Sequence, residues 1–196
     1  MVPIEENSVE DRTEIIRIDD ARELDMLISC IAQGGRPELE RLYRKTSPAV
    51  YGYALSILKN SSAAEDVMQD TYVSIAQNSA GYRSQGKPMA WIMTITRNLA
   101  YMRLQRSEAR NVPLDDYTEL ASEGDEYTES DRKLMIKTAL EVLSAEERQI
   151  VTLHAVSGLK HREIARMLNM PLSTVLTKYK RSLEKMKKKL GGDDGD

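Results

Sequence analysis

The sequence has no phenylalanine and only one tryptophan, Trp91, among its 196 residues. A core must then be assembled from Leu, Ile, Val, Met, Ala and Tyr, which suits packed helices better than strands, where aromatic residues are favoured. One cysteine, Cys30, excludes an internal disulfide, and within "DMLISCIAQ" it reads as a small core residue rather than a reactive thiol. The two histidines, His154 and His161, lie far from it in sequence, so no zinc constellation is suggested. No apolar run approaches the roughly 20 residues of a membrane span, and the start "MVPIEENSVEDRTEIIRIDD" lacks the basic and apolar segments of a secretion signal. A cytoplasmic location is expected. No glycine-rich phosphate loop follows a strand-like run, and no nucleophile can be placed beside a base, so neither catalysis nor a cofactor is expected.

What is abundant is charge, at 30% of residues, and its placement says more than its sum of −3. Between Asp115 and Asp131 every charged side chain is acidic. Between Lys160 and Lys189 ten basic residues face only Glu163 and Glu184, so this end is suited to a polyanion. The pattern divides the chain into an acidic N-terminal arm (1–20), a helical domain (21–106), an acidic flexible linker (107–131), a second helical domain (132–190) and a short tail (191–196). The expected fold is all-α, with two small helical domains.

Apolar spacing places the helices. Leu24, Leu27, Ile28 and Ile31 open the first, which "GGRP" at 34 to 37 breaks. The second carries Leu39, Leu42, Val50, Tyr53 and Leu58, with Pro48 as a point of interruption because proline lacks a backbone donor. In "NSSAAED", Ser62 and Glu65 have the spacing of a capping box that would start a third helix at Ala63. Pro88 fits the first turn of a fourth, "MAWIMTITRNLAYMRLQR". Beyond the linker, Ser144 and Glu147 form another capping box, Gly158 ends the helix it opens, and "KHREIARMLN" leads through a turn at Asn169 to Pro171 into a long basic helix. That last pair is a helix-turn-helix.

Three segments, in order, carry a resemblance: "AEDVMQDTYVSIAQN", "GKPMAWIMTITRNLAYMRLQR" and "LSAEERQIVTLHAVSGLKHREIARMLNMPLSTVLTKYKRSLEKM". From about Leu24 to Leu190 the chain resembles the extracytoplasmic function (ECF) sigma factors of bacterial RNA polymerase. The resemblance implies a region 2 domain that binds core polymerase and melts the minus-ten element, and a region 4 domain that reads the minus-thirty-five element. In the first segment Asp66, Gln69 and Asp70 share a helix face and match the surface that docks on the clamp helices of the largest subunit. The flap region, promoter DNA and an anti-sigma factor are the other implied partners, and the acidic linker would mimic nascent RNA in the polymerase channel.

The second segment and its preceding loop interleave Tyr82, Arg83, Trp91, Arg97, Asn98, Tyr101 and Arg103. Aromatic rings offer stacking surfaces for unpaired bases while arginines hold phosphates; the resemblance assigns these residues to the minus-ten strand, with Trp91 also spaced as part of a core stripe beside Ile95, Leu99 and Met102. In the long basic helix, Leu172, Val175, Leu176, Tyr179, Leu183, Met186 and Leu190 fall on one stripe. Ser173, Thr174, Thr177, Lys178, Lys180 and Arg181 fall on the side expected in the major groove, where such donors meet base edges and phosphates. Leu176 departs from the family, most of which carries Lys or Arg there, and an aliphatic chain can at most touch a thymine methyl. Two other readings stay open: a stand-alone helix-turn-helix regulator, and a polymerase-bound adaptor without specific DNA reading.

Overall fold

The structure, a computed structural model, describes residues 20–109 and 140–190. The acidic arm before residue 20, the acidic linker from residue 110, the helical restart at Arg132 and the tail lie outside the described residues. Among the described residues every regular element is helical: α1 (residues 20–31), α2 (Arg36–Leu58), α3 (Ser61–Asn78), α4 (Pro88–Ala109), α5 (Ala145–Ala155), α6 (His161–Met167) and α7 (Leu172–Leu190). A short 3-10 turn, Ser79–Gly81, follows α3, and residues 140–141 are helical.

Local chemistry explains the boundaries. Gly34 closes α1 at φ 93°, a conformation a side chain resists, and Pro37 fits the first turn of α2. Pro48 does not interrupt α2, which runs unbroken for 23 residues. Both Pro48 and Arg44, whose carbonyl loses its intrahelical donor, lie on the exposed side, where water substitutes. The cap of α3 also differs from expectation. Asn60, rather than Ser62, caps the helix, its side-chain oxygen accepting from Ala63 N at 2.7 Å, so α3 starts two residues early. The Ser144 and Glu147 capping box is present as read, with bonds of 2.9 and 3.3 Å. Gly158 turns the chain at φ 69° after α5, and Asn169 turns it at φ 53° between α6 and α7, a left-handed state that asparagine tolerates.

Helices α1 to α4 form the N-terminal half and α5 to α7 the C-terminal half, yet their apolar faces make one core. Leu42, Val50 and Tyr53 of α2, Ile75 of α3, and Ile92 and Met93 of α4 belong to the same buried cluster as Ile150, Leu153, Ile164 and Val175 of the C-terminal half. A second cluster, rich in alanine, lets α2, α3 and α4 approach closely through Ala54, Ala63, Ala64 and Ala100. The reading of two domains joined by a linker did not foresee that the domains share a core. The reason is α5, which buries both its apolar stripe and the polar run Glu147, Arg148 and Gln149.

Candidate nucleic-acid interface

The first candidate surface is α4 and the loop before it. Tyr82 stands at the end of the 3-10 turn, its ring 4.7 Å from that of Trp91, and its hydroxyl donates to the Asp25 carboxylate of α1. Burial first, and then that carboxylate, push the Tyr82 hydroxyl well above the usual phenol range, so it stays a donor. Ser84 donates to the other Asp25 oxygen at 2.8 Å, and together the two bonds fasten the loop to α1. Arg83 is exposed beside it. Nearly two turns beyond Trp91 on α4, the Arg97 guanidinium lies over the Tyr101 ring, 4.8 Å from its centroid. Asn98 is exposed. Arg103 is turned back, donating to Asp66 of α3 at 2.6 Å.

Several of these groups touch the C-terminal half. Gln149 of α5 accepts from the Tyr53 hydroxyl at 3.4 Å and donates to the Tyr101 hydroxyl at 3.2 Å, so one amide joins α2, α4 and α5. Arg148 donates to the Leu143 carbonyl at 2.9 Å and reaches the Ser56 carbonyl at 3.5 Å. Ser157 meets the Met93 sulfur at 3.6 Å, and Lys87 lies 3.9 Å from Glu163 of α6. Sequence reading missed Arg148, Gln149 and Glu163. The available signal was "EERQ" in the first turn of the helix that the capping box opens, where four polar residues in succession span a full turn and must put at least one on its buried side.

The second candidate surface is α7. Val175 and Ser182 are its buried residues and fix which side faces α5 and α6. Ser173, Thr177, Lys180 and Arg181 lie exposed on the far side, as expected. Thr174 and Lys178 are half-buried, and Lys178 pairs with Glu146 of α5 at 2.9 Å. The apolar stripe is narrower than its spacing suggests: Leu176, Leu183 and Leu190 are 46%, 45% and 39% exposed because the short α6 covers only one flank. Lys185 crosses to Glu147 at 2.8 Å. Burial alone would raise the Glu147 carboxyl, but bonds from Lys185 and the Ser144 backbone outweigh it and hold the group below the usual range. Beneath α7, His154 and His161 stack with centroids 4.1 Å apart and meet the Tyr179 ring edge-on.

The third surface is on α3. Gln69 and Asp70 are exposed on the same face as Asp66, whose carboxylate is shared with Arg103. No helix among the described residues is long and apolar enough to cross a membrane.

Comparison with known proteins bears on both halves. Residues 42–110 match the family model Sigma-70 region 2, and residues 133–186 match Sigma-70, region 4. The ECF RNA polymerase sigma factor SigK of Mycolicibacterium vanbaalenii is 24% identical over 176 residues, covering 86% of this chain and 90% of that protein. The RNA polymerase sigma factor CarQ of Myxococcus xanthus is 26% identical over 160 residues, covering 81% and 92%. Solved structures share the fold, two of them as follows. CnrH, in complex with the cytosolic domain of CnrY, superposes with a TM-score of 0.62 at 19% identity, covering 88% of this chain and 99% of that one. The sigma factor RpoE of Bartonella quintana, in complex with the anti-sigma factor NepR, gives 0.61 at 22%, covering 79% and 97%. With region 2 and region 4 matched in order on one helical architecture, the chain belongs to the ECF sigma factors of RNA polymerase.

Proposed function

We propose that the three surfaces divide the work of initiation as follows: Asp66, Gln69 and Asp70 meet the clamp helices of core polymerase, α4 and its loop take the minus-ten strand, and α7 enters the minus-thirty-five major groove. The observation that carries this reading is that one chain presents two unlike surfaces that carry cations. On α4, arginines interleave with rings, which suits unstacked bases. On α7, hydroxyls and cations line an exposed helix side without rings, which suits duplex edges and phosphates. The protein would act in the cytoplasm and supply binding free energy that offsets strand separation, while the polymerase does the chemistry. An anti-sigma factor, the kind of partner NepR is for its sigma factor, fits a molecule with two such surfaces to hide.

The same geometry demands a conformational step. Elements centred near minus ten and minus thirty-five stand roughly 85 Å apart at 3.4 Å per base pair, whereas a compact chain of this length has a radius of gyration of roughly 16 Å. The halves must part before both elements are read, breaking the Gln149 bridge and exposing Ile150 and Leu153. Adding the protein to core polymerase and sequencing transcripts from genomic DNA tests the assignment. Specific starts with shared upstream elements, lost in Asn98→Ala and altered in Arg181→Ala, are expected. Unchanged starts in both variants would show that these surfaces are not the readers.

A further inference from the structure

Where the halves meet, a cavity of about 590 Å³ opens between the α4 loop and α6. Its volume lies inside the range of small-ligand sites, roughly 300–1,000 Å³. The N-terminal half contributes Trp91, backed by Tyr82, together with Arg83, Lys87 and Arg97; the C-terminal half contributes Glu163, Arg166 and Met167. Four cations therefore face one carboxylate. That carboxylate is already engaged, because Glu163 accepts from Lys160 N at 2.9 Å as the cap of α6. Arg97 lines the cavity, and its Nε is buried there without a hydrogen-bond partner, a state that costs free energy in the packed molecule.

We propose that this cavity binds a free nucleoside triphosphate. The indole of Trp91 and the Met167 thioether offer apolar surfaces to a base, while Arg97 from one half and Arg166 from the other close on its phosphates. A single nucleotide suits the space better than a strand, because α6 forms one wall and a strand running along α4 has to displace it. Binding then favours the packed arrangement of the two halves and competes with the minus-ten strand. A nucleotide pool thereby sets the fraction of protein ready to open. This goes beyond promoter reading and rests on it only in the claim of competition.

The test is built into the composition, since Trp91 is the only tryptophan. Titrating the intact protein with GTP and with ATP, and exciting the indole beyond nucleotide absorption, should give saturable quenching. Inorganic triphosphate should displace the nucleotide. Arg166→Glu should weaken binding by more than about tenfold, the scale of one charge-assisted contact, and Arg166→Gln by less. Arg166 is outside the three proposed reading surfaces, so both variants should keep core-polymerase binding and specific starts. Circular dichroism melts would check that each variant folds. Absence of saturable quenching, or quenching untouched by Arg166→Glu in a folded variant, overturns the site while leaving promoter reading standing. Lost promoter specificity with quenching intact would instead fault the functional assignment.

Discussion

Helices α4 and α7, the two proposed DNA readers, both carry cations, but they stand differently in the molecule. Helix α4 lies in the middle of the fold, with Ile92, Met93, Thr96 and Ala100 buried and its Tyr101 bonded to Gln149 of α5. Helix α7 is anchored by Val175 and Ser182 and leaves its opposite side to solvent. The difference teaches that one proposed reader is available in the packed molecule and the other is partly covered by the neighbouring half. Duplex binding should therefore need no rearrangement, whereas strand capture should need one.

The largest effect should come from the shared core. Replacing Ile150, fully buried at the junction, with alanine should destabilise the protein by about 2–5 kcal/mol and lower a single cooperative melting transition. Two separate transitions in the wild type would break the comparison at its base. Arg181→Ala removes one exposed donor and should cost about 1–3 kcal/mol of discrimination at one base pair, seen as relaxed selectivity for minus-thirty-five duplexes with no change in melting. Gln149→Ala cuts the bridge between halves. It should strengthen binding of a minus-ten oligonucleotide by about fivefold, the worth of a typical hydrogen bond, and leave duplex binding unchanged. Equal effects on both ligands would mean that α4 is no more covered than α7.

The smallest effects are in pH dependence. His161 has its affinity for protons lowered by burial and by the neighbouring His154. A lowered histidine favours the neutral form in the fold, so stability is complete above its ordinary range near pH 6.5 and falls as pH drops below it. His161→Gln should flatten that part of the curve in denaturant titrations. Glu147, held below the usual carboxylate range, contributes stability above about pH 4.5 that is lost as its folded-state proton binds at lower pH. Glu147→Gln should remove that acid limb, and a limb of unchanged slope would contradict the Lys185 pairing.

Much of the chemistry of the candidate surfaces was legible in the sequence. The aromatic and basic interleaving of Trp91, Arg97 and Tyr101 and the exposed donors of α7 follow from residue type and helical spacing, both local properties. Asn60 shows where local rules compete: two overlapping cap signals lay within three residues, and the earlier one won. Lys178 shows the limit of spacing, because its angular position borders the exposed side and only the presence of Glu146 draws it toward α5. Leu176 and Leu183 show the converse, since an apolar stripe predicts burial only if a neighbour is long enough to cover it, and α6 has seven residues.

By itself the sequence determined the helical class, the two capping-proficient halves, the polarity of their surfaces and the family, because each depends on short-range pattern. Tertiary structure alone decided that Tyr53, Gln149 and Tyr101 meet, that Arg97 and Arg166 line one cavity, and that α4 is partly covered by the neighbouring half while α7 leaves one side free. Those contacts join residues up to 96 positions apart, and no periodicity in a linear chain specifies which of two apolar stripes will bury the other.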